Sequence, residues 1–537
     1  MATRIGIDFG TANTVVAHWD PTLDRGEPIA LDGLDLLRPA AAGISQRVVP
    51  SRIAYAVDSQ ARAVGANVTE EMFTDPRYAV FRSTKSVITG RIKDISRAIG
   101  ARSISPREAA TRFLSDVVAA TMFAVDAADL EIVATAPVEA FDTYRDWLVR
   151  EVGDEVGLAR LRVVDEATAA AVGYSARLNP GDTFLVFDFG AGTLDISVVR
   201  VQDPEASQSG GAGVRVVGKS GIDFGGDNID LLLAEHVAAS ARLPFGDTHL
   251  YNQLFGQLLR SAEAAKVALT SAAQATIRAA DPDTGIEYAA DITRGEFDSL
   301  LRDRDVTGRV GRALRAALDK AAAAGFLADE IRHVFLVGGT SLIPAIQDVI
   351  YMQFSRDRVH VDRPLEAVAA GAAGIAGGYE LHDHIQHDYV IRHVNRDTGV
   401  YEFEQLVPAG TEYPTPAPIK SMTIKAVRDG QRNLGLAIYE RAHATYRDAS
   451  ADLEIMFDAA GGARAVAITS QQRQERSSLW LNEDSPTFLE AEPPARAGAD
   501  RFRLDFRVDA QKRLTVSAFD LERRSWVLDQ QPVVRLS

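Results

Sequence analysis

One short pattern occurs twice in this chain of 537 residues. Residues 5–17 read IGIDFGTANTVVA and residues 184–199 read FLVFDFGAGTLDISVV. Each is an apolar β-rich run, then Asp-Phe-Gly, then small residues and Thr, then a second β-rich run. Asp8 and Asp188 stand 180 residues apart. A lone copy reads as an ordinary tight turn. Two copies ask for two hairpins, each opening its own lobe. At each turn glycine lets backbone N–H groups approach an anion closely. Two such turns facing each other can clamp a polyphosphate, and aspartates at the strand ends can hold a hydrated Mg²⁺.

Between the copies, strands and helices alternate. Residues 131–135 form an apolar strand ending at Pro137, 142–152 read as a helix, 161–164 as a short strand and 166–174 as an Ala-rich helix. Past the second copy, GKSGIDFGGDNID at 218–230 is a further glycine-rich turn entering an apolar helix from Ile229. Residues 253–269 have helical periodicity, and VFLVGGTSLIPAI at 334–346 reads as a buried strand, a Gly-Gly turn and a helix start. Such alternation predicts an α/β architecture with ligands at the carboxyl ends of strands.

Near residue 380 the pattern changes. Gly377 and Gly378 end a small-residue helix over 366–376, and a polar stretch with His382, His384, His387 and His393 follows. Beyond it, apolar residues recur with period two: Leu434, Leu436 and Ile438; Phe502, Leu504, Phe506 and Val508; Leu514, Val516 and Ala518. Asp429-Gly430, Gly461-Gly462 and Pro493-Pro494 read as turns between such runs. This predicts a half-buried antiparallel β domain. Histidines in a polar stretch without acidic or thiolate closure make a poor metal site.

Composition narrows the function. Lys and Arg number 58 and Asp and Glu 74, a net charge of −16. So acidic a surface repels phosphate backbones, which argues against nucleic acid as a partner. The absence of cysteine excludes disulfides, iron–sulfur clusters, thiolate zinc sites and a cysteine nucleophile. No apolar run reaches the roughly 18–20 residues of a membrane span; in 109–128, the nearest approach, Arg112, Asp116 and Asp126 intervene. Asp8 interrupts the N-terminus before any secretory pattern can form. The expectation is a soluble cytoplasmic protein with no membrane partner.

Taken together, the motifs resemble the DnaK-type chaperones, the seventy-kilodalton heat-shock family. GIDFGTANTVVA and VFDFGAGTLDIS are similar to its two phosphate motifs, VVDEATAAAVGY at 163–174 to its connecting helix, LVGGTSLIP at 336–344 to its adenosine motif and RPLEAVAAGAA at 363–373 to its closing helix. LVPAGTEYPT at 406–415 and FRVDAQKRLTVSAFD at 506–520 resemble its peptide-binding β domain. The resemblance implies an α/β actin-like two-lobed ATPase domain, a duplicated ribonuclease-H-like fold, followed by an antiparallel β-sandwich. The nucleotide-binding domain would span 1–380, with lobe I about 1–182, lobe II about 183–360 and a closing helix over 361–378. A linker over 381–393 and a sandwich over 394–537, without the family's helical lid, would follow.

The same resemblance implies site residues. Gly10, Thr11, Ala12 and Asn13 would line the first phosphate turn, and Gly190, Ala191, Gly192 and Thr193 the second. Asp8, Asp188 and Asp195 would hold the waters of Mg²⁺, with K⁺ as a further candidate ion. Lys85, Glu166, Asp188 and Thr193 would be catalytic, Lys85 reaching the γ-phosphate and orienting the attacking water. Gly225, Gly226 and Asp227 match a ribose-side turn. Glu263 and Lys266 would bond the ribose and Thr270 the base, and their spacing puts all three on one helical face. Gly338 and Gly339 match the turn under the α-phosphate and adenosine. Leu342 stands where the family stacks an arginine on adenine, which weakens binding without abolishing it. Pro137, Arg145 and Asp388 would transmit nucleotide state.

The carboxyl-terminal part departs further from the family. The matching linker is His384-Ile385-Gln386-His387, with one apolar side chain where the family has several, although Tyr389, Val390 and Ile391 could serve instead. The first cleft loop matches 393–399, which is polar, while Leu434 and Leu436 would keep the other cleft wall apolar. The implied function is a slow ATPase and chaperone-like protein, using ATP or ADP with Mg²⁺. Unfolded polypeptide or a specific protein partner, with co-chaperones, would be bound through the β domain. One alternative is a nucleotide-dependent scaffold with a degenerate cleft and weak coupling. Another is an actin-fold small-molecule kinase, disfavoured by the β domain and Lys85.

Overall fold

Both Asp-Phe-Gly segments are hairpins at the centre of a sheet. In the computed structural model, strand Thr3–Phe9 pairs antiparallel with Asn13–Asp20, and strand Thr183–Phe189 pairs antiparallel with Leu194–Val201. The structure describes residues 2–39, 45–59, 61–89, 95–100, 102–127, 129–137, 142–157, 160–175, 179–201, 213–244, 248–382, 385, 387–394, 401–409, 411, 413–441, 453–457, 463–467, 478–482, 487–509 and 513–536. The described residues fall into two units. One holds those within 1–138, 144–382 and 445–468, the other those within 139–143, 383–444 and 469–537.

The first unit contains the same sheet twice. In its first half the order is Leu161–Asp165, Leu130–Ala136, Thr3–Phe9, Asn13–Asp20, Ser45–Pro50 and Leu36–Pro39, with Arg25–Pro28 also pairing with Asn13–Asp20. In its second half the order is Val359–His360, Ile331–Val337, Thr183–Phe189, Leu194–Val201, Gly213–Ile222 and Glu380–His382. Strands one to three of each list run parallel and the hairpin partner turns back antiparallel. The duplication read from two short motifs thus extends over five strands of each sheet; the sixth pairs antiparallel in the first half and parallel in the second.

Helices from the two halves meet with almost no side chain between them. Helix Glu166–Ser175 and helix Ala367–Gly377 both belong to an apolar core that includes Ala169, Val172, Val368, Ala372 and Ile375. A Cβ at Gly371 would lie 1.7 Å from the carbonyl oxygen of Ala169, and one at Gly173 would lie 2.2 Å from that of Ala367. Only glycine permits this backbone approach. The Ala-rich sequence thus serves close packing at the seam between the two halves.

The second unit is two antiparallel sheets around one core. The first runs Tyr401–Val407, Asp388–Val394, Gln431–Arg441 and Ser478–Trp480, with Thr487–Ala495 also pairing with Gln431–Arg441. The second runs Lys420–Lys425, Asp500–Val508, Arg513–Asp520 and Ser525–Arg535. Phe502, Leu504, Phe506 and Val508 all point inward, as period two requires, against Tyr389, Ile391, Leu434, Leu436 and Ile438. Pro493 and Pro494, expected in a turn, lie inside strand Thr487–Ala495, where pairing with Gln431–Arg441 shifts register between Gln431 and Asn433. A register shift leaves room for residues that cannot donate to the ladder. Gly461-Gly462 lies outside the described residues.

Candidate functional site

The two hairpin turns are held from behind by hydroxyls and backbone amides. In the first, Ser51 Oγ donates to the Gly10 carbonyl at 2.8 Å and shares a 2.8 Å hydrogen bond with Thr14 Oγ1, while the Ser51 amide donates to the Ala12 carbonyl at 2.9 Å. In the second, the Gly190 carbonyl accepts from Thr340 Oγ1 at 2.8 Å and from the Gly226 amide at 3.0 Å, and the Ala191 carbonyl accepts from the Asp227 amide at 2.8 Å. Gly225 packs so tightly there that a Cβ would lie 2.3 Å from the Ala191 carbonyl oxygen. The Gly225-Gly226 turn is thereby fastened to the second hairpin turn. Thr11 and Thr193 are buried, and Ala12, Asn13, Gly190, Ala191 and Gly192 are partly exposed. The Asn13 side-chain oxygen is buried with no partner among the described residues, as expected of a group awaiting a ligand.

At the strand ends beside the turns, Lys85 is set among the buried carboxylates of Asp8, Glu166 and Asp188. Lys85 donates to Glu166 in a buried ion pair. Asp8 accepts from Thr135 Oγ1 at 2.9 Å. Burial, then the charge of Glu166, raise the Asp8 carboxyl to about 6, against the opposing pull of Lys85 and Thr135. Burial, with Glu166, Asp195 and Asp8, pushes Asp188 well above the usual carboxylate range. Burial works against the charge of Lys85, but Glu166, Tyr144 and Asp8 outweigh it and raise its pKa, so it is a fixed cation and not a base. Asp195 sits opposite Asp188 across the hairpin.

Among the described residues no three acidic or histidine side chains are close enough to ligate a metal ion directly. The excess of buried carboxylates over cations nonetheless fits a divalent ion held through its own waters. The carboxyls of Asp8 and Asp188 are raised because burial and their acidic neighbours outweigh the opposing pull of Lys85.

Around the expected nucleoside position the structure brings some residues together and redirects others. On helix Thr248–Leu269, Glu263 pairs with Arg82 at 3.3 Å, and Ser83 Oγ donates to Asp227 Oδ2 at 3.4 Å. Burial opposes ionisation of Glu263, but Arg82 and Lys266 dominate and lower its pKa. Lys266 Nζ donates to Asp230 Oδ2 at 2.8 Å and to the Gly226 carbonyl at 3.0 Å, so it braces the Gly225-Gly226 turn. The Thr270 hydroxyl turns back onto the Val267 carbonyl at 2.7 Å, closing its own helix end. Gly338 adopts φ +77, and its amide donates to the Pro364 carbonyl at 2.7 Å. Gly339 and Leu342 form the 3₁₀ turn that follows, with Leu342 half-buried.

Pro137 is buried at the end of strand Leu130–Ala136 and Arg145 lies on helix Asp142–Asp146. In the second unit Asp388 Oδ1 accepts from Gln405 Nε2 at 2.8 Å and from the Ala409 amide at 2.9 Å. Leu434 and Leu436 are 4% and 1% exposed, turned into the core by strand alternation, and offer a peptide little surface. Residues 388–393 of the expected linker belong to strand Asp388–Val394, an inner strand of the β unit, and Ile385 belongs to its core. His384, and residues 395–399 of the expected cleft loop, lie outside the described residues.

Sequence reasoning missed Ser51, Arg82, Ser83, Thr135, Thr340 and a further buried ion pair, Lys219 Nζ to Asp165 Oδ1 at 3.1 Å. Only Asp165 left a local signal. It precedes a helix and accepts from the Thr168 amide at 2.7 Å, a cap legible as Asp three residues before Thr.

Comparison with known proteins points the same way. The family model for the Hsp70 protein matches residues 95–454. The chain is 26% identical to heat shock 70 kDa protein 7, chloroplastic, of Arabidopsis thaliana, over 96% of this chain and 67% of that protein. Among the described residues no helix is long and apolar enough to cross a membrane.

Proposed function

The chain belongs to the Hsp70 family, whose members are ATP-binding chaperones with ATPase activity, and on that premise we propose that it binds ATP between the duplicated halves of its first unit and hydrolyses it slowly. The first unit is then an actin-like ATPase domain and the second a β-sandwich that engages polypeptide or a protein partner. The observation that carries this reading is the buried Lys85–Glu166 pair set among Asp8 and Asp188. Phosphoryl transfer to water needs positioning and charge neutralisation more than covalent chemistry.

Each residue then has a task. The turns at Gly10–Asn13 and Gly190–Thr193 hold the phosphates, and Lys85, kept charged by Glu166, stabilises the oxygens of the terminal phosphoryl group and orients water. The proton that water releases would pass to one of the neighbouring carboxylates, Asp8, Glu166 or Asp188. Asp8, Asp188 and Asp195 would hold Mg²⁺ through its waters, and the ion when bound neutralises phosphate charge. Glu263 and Asp227 reach the ribose, with Lys266 bracing the turn beneath.

The test is steady-state hydrolysis of ATP with Mg²⁺. Lys85→Ala should spare nucleotide binding and lower turnover by about 10²–10⁴-fold; unchanged turnover removes Lys85 from the reaction. One observation favours a second reading, a nucleotide-dependent scaffold with weak coupling. The residues expected to line the cleft and to form the linker, Leu434, Leu436 and Ile385, are packed in the β core. Stimulation of hydrolysis by unfolded peptide would separate the two.

A further inference from the structure

Tyr144 is completely buried, and among the described residues its hydroxyl has no hydrogen-bond partner. The side chain is firmly placed. Its ring packs on Trp147 with centroids 5.6 Å apart, and Trp147 packs on Phe9 at 5.9 Å and donates its indole N–H to Thr111 Oγ1 at 2.9 Å. Lys85 Nζ stands 5.9 Å from the centre of the Tyr144 ring. The charged groups that act on the phenol are Lys85, Glu166, Asp8 and Arg145, three of them from the proposed reaction site.

A buried hydroxyl left unpaired costs free energy that a phenylalanine in the same place would not. Such a group calls for an explanation, and a catalytic contact completed from outside the chain is one. Burial first, then Glu166 and Asp8, hold the phenol above its ordinary pKa, so it stays a donor. What it lacks is an acceptor oxygen. The proposed chamber receives one kind of ligand rich in such oxygens.

We propose that Tyr144 is a further catalytic residue whose hydroxyl donates a hydrogen bond to an oxygen of the terminal phosphoryl group of bound ATP. This rests on the ATP reading above. Tyr144 also neighbours Arg145 on helix Asp142–Asp146, so the group that touches phosphate is adjacent to the residue proposed to report nucleotide state.

Tyr144→Phe removes one oxygen and keeps the ring. Calorimetry on the full chain should show ADP with Mg²⁺ bound within about twofold of the native affinity, and the ADP–fluoroaluminate complex bound about tenfold or more weakly, the scale of a hydrogen bond to a charged acceptor. Turnover should fall while KM stays within a few-fold. Without nucleotide, Tyr144→Phe should melt no lower than the native chain, because an unpaired buried hydroxyl has been removed. Equal affinity of both proteins for ADP–fluoroaluminate overturns the proposal. A lower nucleotide-free melting temperature with unchanged fluoroaluminate affinity assigns Tyr144 a structural role instead. If the native chain binds neither ADP nor the fluoroaluminate complex, the ATP reading fails and the role of Tyr144 falls with it.

Discussion

A carboxyl group buried beside other carboxyls holds its proton tightly, and Asp8 is such a group. Its pKa rises from 3.8 to about 6, by burial first and by Glu166 second. The folded state therefore binds this proton more strongly than the unfolded chain does. The stability that Asp8 contributes is full below about 3.8 and is lost as pH rises through about 6, a difference on the order of 3 kcal/mol at about 1.4 kcal/mol per pKa unit. Asn at the same position cannot ionise and still accepts from Thr135. Without nucleotide or Mg²⁺, Asp8→Asn should thus be more stable than the native chain at pH 7–8, and the gap should close towards pH 4. Thermal unfolding of both proteins across that range checks this. A gap independent of pH would mean that Asp8 does not titrate in this window.

At the scale of elements, the site depends on how closely three turns approach one another. Gly225 lies against the Ala191 carbonyl at a distance that excludes a Cβ, and backbone on both sides leaves nothing flexible to move. Gly225→Ala should push the ribose-side turn off the second phosphate turn, weaken nucleotide binding about tenfold or more and cost about 1–3 kcal/mol of stability. Gly295→Ala is the control. Its Cβ meets nothing within 4 Å in helix Arg294–Asp303, so it should leave binding unchanged. Isothermal calorimetry and urea unfolding measure both effects.

This scale also shows what could be read in advance. The hairpins, the Gly-Gly turns and the period-two strands were legible because each is a local pattern with a local cause. The strand expected at 131–135 runs Leu130–Ala136 and the helix expected at 253–269 runs Thr248–Leu269, since ends are set by caps and neighbours. Spacing put Glu263, Lys266 and Thr270 on one helical face, but it could not say that the Thr270 hydroxyl would close its own helix. Nor could it pair Arg82 with Glu263 or Lys219 with Asp165. Those pairs join residues far apart in the chain: Arg82 ends a strand of a small separate sheet and Glu263 lies on a helix, while Lys219 and Asp165 lie on strands of the two central sheets, so only the tertiary fold brings them together.

For the whole molecule, the question is whether nucleotide state in one unit changes the other. Coupling requires a segment between them that packs differently in two states, with a free-energy difference the ligand can supply. The segment's apolar residues are already committed. Ile385 is completely buried in the β core, and its amide donates to the Thr411 carbonyl at 2.9 Å. Tyr389 is completely buried too, and its hydroxyl donates to the buried Glu440 at 2.7 Å. Withdrawing Ile385 would forfeit about 1.5–3 kcal/mol of burial, before the backbone hydrogen bond and any ordering cost are counted. Protease sensitivity around residues 382–394 should therefore change little between ATP and ADP. Ile385→Ala should lower the stability of the β unit by about 2–5 kcal/mol, as truncation in a core does, and leave ATP turnover unaltered. Tyr389→Asp would bury a charge in that core and unfold the unit, so it cannot serve as a probe of docking. Strong protection by ATP that Ile385→Ala abolishes without destabilising the β unit would show that Ile385 leaves the core in the ATP state, and would make the chain a tightly coupled two-state chaperone.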